Sequence, residues 1–282
     1  MKMITLAEDT PSKDSRILYE HGLSVYVESE NHHLLLDTGA TDAFAANAKT
    51  LGVDLKSVDT VVLSHGHYDH SGGIIAFSRI NPNAPIYMQK TAAQEHCRLL
   101  EDGGEKNIGI DPEIVSLTQV KMMDGDYNID DILFVFTGVT GRKLWPKGNM
   151  ALKLKQNGSV VQDDFCHEQY LVISEHGKNY LLSGCAHNGI LNIIEAYKER
   201  FGGFPDAVVS GFHMIHSTPL SREDISDIEQ TAKELAKMPT VFYTGHCTGQ
   251  EAYDIMKPIL GEKLKPIHSG EIIFEQEFET VS

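Results

Sequence analysis

Four apolar runs of strand character each end in a polar turn that carries histidine: VVLSHGHYDH at 61–70, YLLSGCAHNG at 180–189, AVVSGFHMIH at 207–216 and VFYTGHCTG at 241–249. Short β-branched and aliphatic runs favour buried strands. In open α/β sheets, side chains placed beyond the carboxyl ends of strands converge even when far apart in sequence. Imidazoles that converge in this way hold a metal more often than they do anything else.

Amphipathic segments alternate with the strands. Ile225, Ile228, Ala232 and Leu235 recur at helical spacing behind Ser221, which predicts a capped helix over 222–237. Further helices are expected at 41–51, 71–80, 90–100, 188–200 and 249–259. Antiparallel strands open the chain, ending at LLLDTG (34–39), while 101–111 and 137–149 read as surface loops. No repeat, low-complexity tract or linker divides the 282 residues, so a single domain over 1–282 is expected.

A formal charge of −16 repels phosphate backbones and anionic membrane surfaces. Nucleic acid and membranes are therefore poor partners, whereas a small anionic substrate needs only a local basic patch. The chain lacks a long apolar segment and an apolar leader, which predicts a cytoplasmic protein; its four cysteines are too scattered for a disulfide framework.

Within HGHYDH, His65 and His67 lie two apart and project to the same side of an extended backbone, where they can grip one ion. Asp69 and His70 follow at a turn, aimed at a second ion about 3.5–4 Å from the first. His21, His32, His33, His96, His176 and His268 read as ordinary core or surface histidines. The loop Thr137–Lys147 brings Arg142, Lys143 and Lys147 beside the only tryptophan, Trp145, a candidate clamp for phosphate or carboxylate. His213 is expected in the cleft, binding substrate or transferring a proton, with a role in merely orienting a ligand as the alternative; His216 is expected outside the ligand set.

At HGHYDH the sequence resembles the metallo-β-lactamase fold superfamily. LLLDTG, LLSGCAHNGI, SGFH and YTGHCTG extend the resemblance over most of the chain and make it similar to the subgroup of dihydropterin-aminobenzene-phosphate synthase-like proteins. This resemblance implies a four-layer αββα sandwich, with two mixed sheets face to face and helices outside. It implies two divalent ions, Zn²⁺ before Mn²⁺ or Fe, with His65 and His67 on the first and Asp69, His70 and His246 on the second. Asp37 is implied to stand behind the ligands. Where the superfamily has a bridging aspartate in a Gly-Asp pair, this chain has Gly184-Cys185. His187 is the preferred remaining ligand, with Cys185 and His167 as alternatives.

A metal pair lowers the pKa of a bound water from 15.7 towards about 7 and needs no nucleophilic side chain, with Asp69 able to take the water proton. The leading expectation is hydrolysis of a small ester, lactone, thioester or phosphoester. The alternatives are a synthase or transferase acting on a pterin-like phosphorylated metabolite, an iron-dependent redox enzyme, and a non-catalytic ligand sensor.

Overall fold

The computed structural model describes residues 1–215 and 219–275, so His216 lies outside the described residues. One seven-stranded sheet runs, in spatial order, Ile272–Glu275, Lys2–Ala7, Ser24–Glu28, His33–Leu36, Thr60–Val62, Ile86–Gln89 and Val120–Met123. Its first four strands pair antiparallel and the rest parallel. A second sheet runs Leu264–Pro266, Val241–Thr244, Ala207–Val209, Lys178–Leu182, Tyr170–Glu175, Leu133–Phe136 and Tyr127–Asn128. Here the first four strands are parallel and the others antiparallel.

Side-chain alternation along these strands explains the layering. Leu34, Leu36 and Val62 turn inward to meet Leu171, Ile173, Leu182 and Val209 of the other sheet. Their neighbours Leu35 and Val61 turn outward onto Phe44, Ala48, Ile74 and Phe77 of the helices Ala43–Leu51 and Ile74–Ile80. On the far side, Leu181, Val208 and Phe242 pack against Ile193, Ile194, Ile228, Leu235 and Met256 of the helices Ile190–Phe201, Arg222–Ala236 and Gln250–Leu260. Strands covered on both faces read as continuous apolar runs because each face needs its own hydrophobic set. The result is an αββα sandwich.

Ser221 caps the helix Arg222–Ala236 through a reciprocal pair: its hydroxyl accepts from the Asp224 N–H, and the Asp224 carboxylate accepts from the Ser221 N–H. Such a cap is worth about 1 kcal/mol. The helix expected at 90–100 is corrected. Residues Lys90–Ala93 form one 3₁₀ turn and Glu95–Leu99 a strand, paired antiparallel with Leu152–Lys155. Cross-strand pairing outweighs local helical preference at this position. That strand belongs to a four-stranded sheet with Glu105–Asn107, Leu152–Gln156 and Ser159–Gln162, so the expected loop 101–111 also contains a strand. Ile108, Leu152 and Phe165 pack beneath it, with Tyr68 and Trp145 against them. Among the described residues, no helix is long and apolar enough to cross a membrane.

Candidate metal centre

The carboxyl ends of His33–Leu36 and Thr60–Val62 in one sheet and of Lys178–Leu182, Ala207–Val209 and Val241–Thr244 in the other deliver the polar turns to one place. Non-glycine residues with positive φ mark it: Asp37 (60°), Phe165 (57°), Ala186 (54°), His213 (49°) and His246 (48°). Left-handed backbone at such residues costs of order 1–3 kcal/mol each and persists where the surroundings dictate it. Gly66 and Gly184 allow the turns to close, since a Cβ at Gly66 would collide with the Ala92 backbone and one at Gly184 with the Ser64 hydroxyl.

Four imidazoles face one another through Nε2, because each Nδ1 is engaged elsewhere. His70 Nδ1 lies 2.6 Å from Asp37 Oδ2, and His246 Nδ1 lies 2.6 Å from Asp9 Oδ1. His187 Nδ1 lies 2.9 Å from Asn149 Oδ1, whose amide nitrogen donates to the His187 carbonyl at 2.7 Å. The Ser64 hydroxyl donates to Asp37 Oδ2 at 2.6 Å, which leaves its oxygen to accept from His65 Nδ1 at 2.8 Å. All four partners are acceptors, so the proton of each neutral ring sits on Nδ1 and the Nε2 lone pairs point inward. His65 Nε2 and His187 Nε2 are 3.3 Å apart, and His70 Nε2 and His246 Nε2 are 3.2 Å apart. Two bare lone pairs at that distance repel, and a cation between them removes the conflict.

The surroundings fit a cation as well. Burial, then repulsion from His70 and His67, holds His65 well below its usual pKa; burial, then repulsion from His213 and His67, does the same to His187. His67 is likewise pushed down by burial and His167, and its Nε2 is buried without a hydrogen-bond partner. Burial opposes charge on His246 too, but Asp69 and Asp9 overcome it and raise its pKa. Burial alone would raise Asp69, yet His70 and His246 hold its carboxyl well below the usual range. Neutral imidazoles at His65, His67 and His187, with the ionised Asp69 beside His246, form a donor set suited to a divalent transition metal that displaces the His246 proton.

His65 and His67 have ring centroids 4.5 Å apart, and both lie within 5 Å of the His187 ring. Asp69, His70, Cys185 and His246 offer ligand atoms all within 4.8 Å of one another, as do His65, Cys185 and His187. His167 is buried next to these residues, but its Nδ1 accepts from the Gly66 N–H at 2.9 Å. Its Nε2 lies 3.3 Å from Asp163 Oδ2 without forming a hydrogen bond, and His67, His96, Asp163 and His167 offer a further set of buried ligand atoms within 4.8 Å of one another. His213 packs against His187 with ring centroids 4.2 Å apart and planes tilted by 56°. Arg142 lies over the Trp145 ring at 5.5 Å and donates to the Asn188 side chain, whereas Lys143 is ion-paired with Glu234 on the helix Arg222–Ala236.

Sequence reasoning missed several residues. His96 is buried and bonds Asp163 at 2.9 Å, 5.7 Å from the His67 ring. His21 bridges Asp9 and Asp69, at 2.7 and 3.5 Å. Glu8 accepts from the His246 N–H, and Glu168 accepts from the N–H groups of both His187 and Asn188. Nothing in the one-dimensional pattern distinguished these acids from surface acids.

The family model of the metallo-β-lactamase superfamily matches residues 19–134. A solved structure described as Tm1679, a metal-dependent hydrolase of the β-lactamase superfamily, is 30% identical with a TM-score of 0.81, the match covering 98% of this chain and all of that one. The chain belongs to the metallo-β-lactamase superfamily. Within it, the 7,8-dihydropterin-6-methyl-4-(β-D-ribofuranosyl)-aminobenzene-5'-phosphate synthase of Methanocaldococcus jannaschii is 29% identical to this chain over 97% of it and 96% of its own length. The Zn²⁺-bound PqqB of Methylobacterium extorquens shares the fold, with a TM-score of 0.59 at 13% identity.

The match to the synthase corrects the expectation of a hydrolase. Both relatives align end to end, but Tm1679 is described by a broad chemical class, while the synthase is named for the product it makes. A bound metal that polarises substrate serves bond formation as readily as cleavage by water, so the fold and histidines could not separate the two.

Proposed function

We propose that this chain is a metal-dependent synthase-type enzyme acting on a phosphorylated, pterin-like small molecule. The observation that carries this reading is the end-to-end likeness to the dihydropterin-aminobenzene-phosphate synthase. In this reading His65, His67 and His187 hold one divalent ion and Asp69, His70 and His246 a second, with zinc favoured by the nitrogen-rich donor set. When bound, the ions supply Lewis acidity to a substrate oxygen.

The protein's own groups orient and bind. Asp37, Asp9 and Asn149 keep the imidazole protons on Nδ1 and the rings aimed inward. Trp145 and His213 line a cleft with Leu144, Pro146 and Met214, and each has a buried ring nitrogen without a hydrogen-bond partner, Nε1 and Nδ1 respectively. A flat heteroaromatic ring would cover the apolar part of that wall, beside Lys147, Asp224 and Asp227. Arg142, exposed beside Trp145, is placed to meet a phosphate. His21, whose pKa the Asp9 hydrogen bond raises, holds its half-exposed ring with Nε2 3.5 Å from Asp69 Oδ2.

The test incubates metal-loaded protein with a 6-substituted dihydropterin bearing a leaving group and a ribofuranosyl-aminobenzene 5'-phosphate, with mass spectrometry of the products. Metal-dependent appearance of the coupled compound is expected. Absence of coupling, with both compounds unchanged, would overturn the reading.

A further inference from the structure

Cys185 stands where the two histidine pairs meet. Its sulfur lies within 4.8 Å of the ligand atoms of His65 and His187, and equally within 4.8 Å of those of Asp69, His70 and His246. The approach to His70 Nε2 is 3.2 Å. Around a tetrahedral ion, a metal–sulfur bond of about 2.3 Å and a metal–nitrogen bond of about 2.1 Å separate sulfur from nitrogen by about 3.6 Å. The His70 distance is close to that value, and 4.8 Å bounds the spacing on both sides of the thiol.

The position is built into the fold. Gly184 packs against Ser64, the residue that anchors His65, and Ala186 takes a left-handed φ of 54° so that residues 185 and 187 both face the centre. Glu168 fixes the same turn through the N–H groups of His187 and Asn188, at 2.6 and 2.9 Å. The neighbouring thiol of Cys247 is engaged differently: its sulfur donates to the Cys185 carbonyl at 3.5 Å and accepts from the His213 N–H at 3.3 Å. The Cys247 sulfur also lies within 4.8 Å of the Cys185 sulfur and a His213 ring nitrogen, but it is Cys185 whose sulfur lies within that distance of both nitrogen pairs.

We infer that Cys185 is a bridging ligand, its one sulfur shared between an ion on the His65–His187 side and an ion on the Asp69–His70–His246 side. Forming the bridge exchanges the S–H bond for two sulfur–metal bonds and releases one proton to solvent, with no change of oxidation state. A soft sulfur at that point favours zinc or another borderline ion over magnesium or calcium. The inference rests on the two-ion reading above, and its test requires no substrate, so it fails independently of the proposed reaction.

Metal-free protein titrated with Co²⁺ reports sulfur ligation through the near-ultraviolet sulfur-to-cobalt absorption and spin coupling through loss of paramagnetic resonance intensity. Both the first and the second equivalent are expected to add to the absorption, with the two-cobalt form losing resonance intensity. Cys185→Ser should abolish the absorption, Cys247→Ser should keep it, and Cys185→Asp should bind two ions without it. Uptake of one cobalt only, absorption that saturates at one equivalent, or absorption that survives in Cys185→Ser would each overturn the bridge. The wild-type titration decides the matter even if a variant fails to fold.

Discussion

The two histidine pairs of the centre are built from different materials. Behind His70 and His246 stand the carboxylates of Asp37 and Asp9, with Asp69 beside both rings; behind His65 and His187 stand the neutral oxygens of Ser64 and Asn149. A carboxylate behind a ligating imidazole raises its basicity, while an amide or hydroxyl fixes only its orientation. The protein thus places its negative charge on one side of a buried centre. That side competes for protons when empty, whereas the other holds neutral rings whatever its occupancy.

Replacing Asp69 by alanine breaks the contrast most severely. Among the described residues it removes the only carboxylate in contact with both His70 and His246, and turnover is expected to fall to background with loss of about one ion per chain. Unchanged coupling activity in that variant, with a native circular dichroism spectrum, would contradict the two-ion reading. Asp37→Asn should weaken metal binding by about 10–100-fold, the range seen when partners behind ligands are lost. Asn149→Ala on the neutral side should weaken it less, and competition against a chromophoric chelator measures both. Equal losses would erase the asymmetry between the pairs.

Acidity sharpens the comparison in the metal-free protein. His65, His67 and His187 have folded pKa values below the ordinary 6.5, so the unfolded chain binds protons that the folded chain refuses. Their contribution to stability is complete above that value and is lost as pH falls below it. His246 and His21 have raised values and act in the opposite sense, contributing below 6.5 and losing that contribution as pH rises. With His167 lowered as well, four lowered against two raised, the urea midpoint of metal-free protein should decrease as pH falls from about 7.5 to 5.5. A midpoint that rises over that range would reverse the assignment of proton-refusing and proton-binding sides.

The smallest effects concern the basic loop. Arg142→Ala and Trp145→Ala should raise KM for the phosphorylated substrate several-fold with little change in kcat. Lys143→Ala should change neither, because its ammonium is paired with Glu234 on the outer helix. A KM effect at Lys143 equal to that at Arg142 would restore the three-cation clamp that the sequence suggested.

How far the sequence foretold this arrangement follows the same division. HGHYDH is contiguous, so the spacing of His65, His67, Asp69 and His70 could be read from one strand and its turn. The opposing side comes from 167, 185–187 and 246, three turns whose order in space depends on a sheet that no local pattern specifies. His167 matched the residue type expected of a ligand, and only the Gly66 N–H on its Nδ1 distinguishes it from His187. His96 was hidden because its segment reads as a helix, while its pairing partner, Leu154, lies 58 residues away in sequence. Buried acids such as Asp9, Asp163 and Glu168 carry no mark in sequence, since acidic residues occur throughout a chain with 40 of them. The layered fold was readable for the opposite reason: apolar runs and amphipathic helices repeat their signal along the whole chain, and Ser221 shows its cap in four residues.

The central claim is that inward Nε2 atoms from both sheets close around cations. Crystals of the metal-loaded protein, measured on both sides of the metal absorption edge, test it most directly. Two anomalous peaks are expected, one between His65 and His187 and one between His70 and His246, with the Cys185 sulfur between the peaks. No peak within bonding distance of those nitrogens, or a single peak beside His96 and Asp163, would contradict the account.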